Sequence, residues 1–250
     1  WRCVESLAAN QALGLGLADS PQVQICTKSH PRKGAVSRTK DNINLPNSSG
    51  FALFDFDLDL EKYTPETREV AESVLAKVEA SGYLKTLGEL AEVDFGECGY
   101  LAVPSSSGGV RVPGGKIQSA TGRHIYIVLK DATDAPRFVR ALHERMWERG
   151  FGWLQVTADG KVLARSMIDI AVAAPERLIF EAKPVVHPPL EYEERVPAIN
   201  EGQAFDSSSV KGTPKFKAKV TGAAKSAERT LITGEVEDLP ASTKIVCENQ

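Results

Sequence analysis

A chain of 250 residues, 42% hydrophobic and 25% charged, has the material for one large or two small soluble globular domains. No apolar run approaches the roughly 20 residues that a membrane span needs, and the start Trp1-Arg2-Cys3-Val4 has no secretory pattern, so a cytoplasmic protein without a membrane partner is expected. The net charge of −3 does not announce a nucleic-acid binder, and Cys3, Cys26, Cys98 and Cys247 are too scattered for a zinc ribbon, which leaves reduced thiols as the plain reading.

Residues 4–16, with Leu7, Leu13 and several alanines in loose periodicity, read as a helix. Residues 20–50 are rich in Pro, Ser, Lys and Asn and read as mostly irregular. Phe51 to Leu60 reads as a strand carrying Asp55, Asp57 and Asp59 at every second position. Alternation puts those three carboxylates on one side. Thr64 and Pro65 resemble an N-cap and first helical position; Val70, Val74, Leu75 and Val78 give the buried stripe, and Gly82 the stop. Residues 98–103 and His124 to Leu129 read as strands, with flexible loops over 104–109 and 113–115 between them.

A second helix starts near Asp134-Ala135-Pro136, turns Phe138, Val139, Leu142, Met146 and Trp147 inward, and closes at Gly150. Phe151 to Val156, a turn at Asp159-Gly160, and Val162 to Ala173 read as a hairpin-like pair, and Leu178 to Phe180 as a last strand. After Pro188-Pro189 the pattern decays into a polar tail, read as linker with weak helix rather than core. The boundaries that follow are a main domain over 1–190 and, over 191–250, a linker or the start of an accessory region. With no methionine at its start, the chain reads as a piece excised from a longer protein. Strands interleaved with two helices imply α+β or α/β layering, a sheet backed by helices.

The aspartate strand carries the chemistry. Neighbouring carboxylates repel, and burying them unpaired is costly. A divalent cation is the natural remedy, and hard oxygen donors suit Mg²⁺ or Mn²⁺. Three further features could converge there: Gly122-Arg123-His124-Ile125-Tyr126 at the entrance to a strand, Asp169 behind Met167 and Ile168 in an apolar strand, and the Ser105–Gly109 loop with Lys116 and Ser119 nearby. Charge is also segregated. Lys28, Arg32, Lys33, Arg38 and Lys40 share one segment without an acid, and Lys211, Lys215, Lys217, Lys219, Lys225 and Arg229 form a second basic stretch. Solvated loops explain these stretches as well as phosphate-contacting rims do.

The series Asp55-Phe56-Asp57, Gly122-Arg123-His124 and Met167-Ile168-Asp169 resembles the three motifs of the archaeo-eukaryotic primase superfamily, the primase-polymerases of plasmids, phages and integrated mobile genetic elements. The resemblance covers residues 50–185. It departs at the second motif, where many members place Ser two residues before the His and this chain has Gly122. It implies an α+β fold: an RRM-like mixed sheet backed by helices, with an N-terminal α/β extension. It also implies a DNA primase/polymerase, a nucleotidyltransferase of DNA replication that makes or extends primers on a single-stranded DNA template from nucleoside triphosphates. Asp55, Asp57 and Asp169 would be the catalytic residues and hold two Mg²⁺ or Mn²⁺ ions, and His124 would contact the triphosphate. Arg123, Arg165, Ser119 and Lys116 stand beside it as nucleotide-binding candidates by position. A helicase on the same or another chain is the further partner implied.

Two rivals use the same residues. Phe54-Asp55-Phe56-Asp57 resembles the first motif of haloacid-dehalogenase-type phosphatases, in which the first Asp is the nucleophile and the second an acid-base. Leu58-Asp59 follows in place of the Gly-Thr step of that family, and Lys130 to Asp134 is a poor match for its late acidic motif. A non-catalytic DNA-binding replication module would suit the basic flanks but leaves three acids unused. Edge-strand charges would account for Asp55 and Asp57 but not for Asp169.

Overall fold

The computed structural model describes residues 2–56, 58, 60, 63, 65–106, 108–115, 122–156 and 162–213. Asp57, Asp59, Thr64, Lys116, Ser119, Thr121, the Asp159-Gly160 turn and the basic stretch from Lys215 onward lie outside the described residues.

Helix α1 (Arg2–Glu5) occupies only the front of the helix expected over 4–16. The cause is local. Gly14 and Gly16 oppose helix formation, and a Cβ on Gly16 would meet both Ile43 and the Pro175 carbonyl at 2.6 Å, so this segment runs close against its neighbours. Two short strands follow, β1 (Ile25–Cys26) and β2 (Val36–Ser37), paired in parallel. Between them residues 27–34 are all exposed.

The remaining elements, in chain order, are β3 (Gly50–Phe56), α2 (Pro65–Ser81), α3 (Tyr83–Ala91), β4 (Tyr100–Pro104), β5 (Val110–Arg111), β6 (Arg123–Leu129), α4 (Ala135–Glu148), β7 (Trp153–Val156), β8 (Val162–Arg165), β9 (Glu191–Tyr192) and β10 (Ala198–Asn200). The chain is α+β. Its largest sheet has the order β10-β4-β6-β3. β4 is antiparallel to both β10 and β6, with Leu101 opposite Tyr126 and Val103 opposite His124. Ser49 Oγ donates to the Leu129 carbonyl at one end of β3, and Asp55 lies beside His124 at the other, so β3 and β6 also run in opposite directions.

Two compact units emerge. The first comprises the residues up to Asp55, Glu97–Pro136 and Ile170–Ser207; the second comprises Phe56–Gly96, Arg137–Asp169 and the described residues from Ser208. In the first, the central strands are buried on both faces. Ala52, Phe54, Ile125, Ile127 and Leu129 fill one face. Leu53 and Tyr126 on the other join Val172 and Ile179, with Leu13, Leu15 and Leu101 packed against them. In the second, the α2 stripe is Thr67, Ala71, Val74 and Val78, with Val70 and Leu75 half-buried beside it. Gly82, at φ 82°, ends α2 and precedes α3, a helix the sequence reading passed over. Phe138, Val139, Leu142, Met146 and Trp147 of α4 are fully buried, as expected.

Further expectations change. The strand expected over Phe51 to Leu60 stops at Phe56, and neither Leu58 nor Leu60 is in a strand. The strand expected over 162–173 stops at Arg165, and residues 170–173 form a 3-10 turn. Asp169 therefore lies beyond the strand rather than within it. Leu178 to Phe180 gives only an isolated bridge from Ile179 to Leu13. The segment from 191, expected as linker, supplies β9, the edge strand β10 and the buried residues Arg195, Ser207 and Val210. Among the described residues no helix is long and apolar enough to cross a membrane.

Candidate functional site

Asp55 ends β3 within the first unit, and His124 stands second in the adjacent β6. Their side chains share a face, and His124 Nε2 lies 3.4 Å from Asp55 Oδ1. The other ring nitrogen, Nδ1, lies 2.6 Å from Glu181 Oε1. Tyr126, two residues along β6 and so on the same face, donates its hydroxyl to that same oxygen at 2.6 Å. Arg195 Nη1 donates to Glu181 Oε2 at 3.2 Å and to the Pro104 carbonyl at 3.0 Å, and its Nη2 donates to the Glu181 carbonyl. Tyr192 OH accepts from Arg195 Nε at 3.0 Å. The result is an alternating chain of charge: Asp55, His124, Glu181, Arg195.

Burial grades along this chain. The Asp55 side chain is 24% exposed, His124 14% and Glu181 not at all. Burial opposes charge on His124, but hydrogen bonds to Asp55 and Glu181 outweigh it and push the imidazole up to about 9. Burial, then the Glu181 carboxylate, raises the Tyr126 hydroxyl, which stays protonated as a donor. The site therefore presents a cationic ring beside a partly exposed carboxylate, a pair able to meet a phosphate oxygen and a hard cation.

Arg123 starts β6, donates Nη1–H to the Gly122 carbonyl at 2.8 Å, and lines a cavity of about 240 Å³ with Arg195, Gly108, Gly109, Glu193 and Glu194. Asp169 and Arg165 belong to the second unit. There Arg165 Nη1 lies 3.6 Å from Asp169 Oδ2, and its Nε donates to Gln155 Oε1 at 2.8 Å. Both side chains are about a third exposed, at 32% and 29%. Asp57, Lys116 and Ser119 fall outside the described residues.

For Mg²⁺ or Mn²⁺ the donor chemistry of Asp55 fits: a carboxylate, partly open, on the sheet face. Glu181 does not join it, because Tyr126 and Arg195 donate to its oxygens and the His124 ring faces Oε1. Among the described residues no group of three or more His, Cys, Asp or Glu could hold a metal ion.

Sequence reasoning passed over Glu181 and Arg195, and it placed Tyr126 in the His124 segment without a role of its own. Tyr126 was legible from alternation, being two residues from His124 on one strand. Glu181 carried the same signal that singled out Asp169, an acid directly after the apolar run Leu178-Ile179-Phe180. Arg195 sits in a polar stretch and gave none. Comparison of the chain with protein-family models, with curated proteins and with solved structures found no match.

Proposed function

We propose that this chain is a template-dependent nucleotidyltransferase of the primase-polymerase kind, acting on single-stranded DNA with nucleoside triphosphates. The observation that carries the reading is the meeting of Asp55 and His124, from two separate sequence motifs, 3.4 Å apart on adjacent strands. The connectivity supports it. β3, a helical pair, β4, β6 and a further helix follow in chain order, and the strands lie in the order β4-β6-β3. That arrangement is consistent with an RRM-like sheet carrying Asp55.

In this reading His124 pairs with the triphosphate, which a cationic imidazole can do through a charge-assisted hydrogen bond. Arg123, Arg165, Lys116 and Ser119 complete the nucleotide contacts. Asp55, Asp57 and Asp169 are the residues that would hold Mg²⁺ or Mn²⁺, which when bound neutralises phosphate charge and lowers the pKa of the attacking hydroxyl. The chain's own part is to align the hydroxyl and the phosphorus and to set fixed charge around them. The exposed turn between β1 and β2, with Lys28, Arg32 and Lys33 and no acid, suits contacts to a single-stranded backbone. A helicase remains the further partner in this proposal.

The test is primer synthesis and extension on single-stranded templates, with labelled ribo- or deoxyribonucleotides and either metal. The wild-type chain yields products, and Asp55→Asn and Asp169→Asn each reduce them by about a hundredfold or more while remaining folded, as loss of a metal-holding carboxylate requires. Full synthesis in either variant overturns the site. Absence of products from the wild type under every combination, or template-free release of phosphate from monoesters, overturns the function.

A further inference from the structure

Among the described residues, Glu181 is the one acid in the first unit whose side chain is wholly buried next to the candidate centre. A buried carboxylate is costly, and a buried ion pair is seldom more stabilising than apolar residues of the same size. Stability alone does not account for it. Its geometry does. Oε1 lies 2.6 Å from both His124 Nδ1 and Tyr126 OH, and so bridges two side chains on one face of β6. Oε2 is held by Arg195, whose guanidinium also donates to the Pro104 carbonyl at the end of β4. The carboxylate is thus fixed on both oxygens, and through it the His124 ring is fixed in rotation.

We propose that Glu181 is a positioning residue: it takes the Nδ1–H of His124 and thereby leaves Nε2 as the ring atom turned toward Asp55 and an incoming triphosphate. Tyr126 and Arg195 act one step further out, each by holding Glu181. What Nε2 does to substrate rests on the nucleotidyltransferase reading; how the ring is held rests on the geometry of the first unit alone. The class of ligand follows from the chemistry. A ring N–H aimed out of a fixed mount recognises an anionic oxygen, and the loss of its mount weakens binding of that oxygen before it touches template binding.

The test has two independent arms, both on the whole chain. In metal-free protein, imidazole NMR should show a downfield His124 Nδ1–H resonance that is lost or shifted strongly upfield in Glu181→Gln and kept in Tyr126→Phe. In steady-state extension of a primed template, Glu181→Gln should raise KM for the nucleoside triphosphate about tenfold or more, with kcat and oligonucleotide affinity changed far less. Arg195→Lys keeps the charge but loses the planar fork. It should give a smaller rise of the same kind, and it serves as the readout if Glu181→Gln fails to fold. An unmoved His124 resonance in folded Glu181→Gln, or an unmoved KM in both variants, overturns the inference. If the wild type makes no product, the nucleotidyltransferase reading falls, and the resonance still decides whether Glu181 holds the ring.

Discussion

His124 is the residue on which the chemistry of the first unit turns, because it is the only group of the cluster that faces acids on both sides. Removing it should separate nucleotide from template. His124→Ala is expected to raise KM for the nucleoside triphosphate about tenfold and to leave oligonucleotide affinity near its wild-type value, read by extension kinetics and fluorescence anisotropy on protein whose fold is checked by circular dichroism. Lost DNA affinity with an unchanged KM assigns the ring to the template instead. The meeting of His124 with Asp55 was open to sequence reading because each sits in a run of apolar residues with strand periodicity. The rest of the cluster was marked more weakly, for different reasons. Glu181 follows an apolar run, as Asp169 does, but that run makes only a bridge, so no periodicity marked its face. Arg195 is drawn inward by a carboxylate, not by an apolar stripe, and a polar stretch does not announce which of its charges will be buried.

Elements with strong periodicity formed largely where the pattern put them, although β3 stops at Phe56, short of the strand expected to Leu60; those held by long-range contacts did not. α4 is the clearest case. Its apolar positions recur at helical spacing, Gly150 at φ 80° ends it, and Trp147 near its end is fully buried. The return of the chain into β7 then depends on Gly152. A Cβ there would come within 2.2 Å of the Trp147 indole, which has no room to give. Gly152→Ala should therefore destabilise the second unit by about 1–3 kcal/mol, the usual cost of overpacking a filled core. Urea unfolding followed by tryptophan fluorescence checks it, and an unshifted midpoint means that the backbone has yielded. By contrast, β9 and β10 are two and three residues long and carry no apolar run of their own. β10 exists because β4 offers it an edge, a cause that no local pattern contains. The failed N-terminal helix is the converse: loose periodicity was present, but Leu13 and Gly16 donate their backbone N–H groups to the Ile179 and Pro175 carbonyls instead of continuing a helix.

At the scale of the whole chain, the two units should respond to pH with opposite sign. His124 in the first unit is raised from 6.5 to about 9, with burial opposing the charge and the hydrogen bonds to Asp55 and Glu181 prevailing. The folded state then holds a proton that the unfolded chain releases. Its stabilisation is complete below pH 6.5 and is lost as pH rises to about 9. His143 in the second unit is lowered from 6.5 to about 4, by burial first and then by Arg140 and Arg165. Its neutral ring lies 2.9 Å from Ser166 Oγ. Here the unfolded chain binds the proton more readily, so stability is complete above pH 6.5 and is lost as pH falls toward 4. Each limb spans on the order of 3 kcal/mol. In metal-free protein the limbs can be followed separately. Trp147 and Trp153 both belong to the second unit, so their fluorescence in a Trp1→Phe background reports it. Hydrogen exchange of the amides of β6, corrected for intrinsic rate, reports the first. The first should weaken only on the alkaline side and the second only on the acid side. His124→Gln should flatten the alkaline limb alone and His143→Gln the acid limb alone. Limbs of the same sign, or a limb that survives loss of its histidine, would show that other groups control the linkage and that the charge on His124 is not what Asp55 and Glu181 were placed to hold.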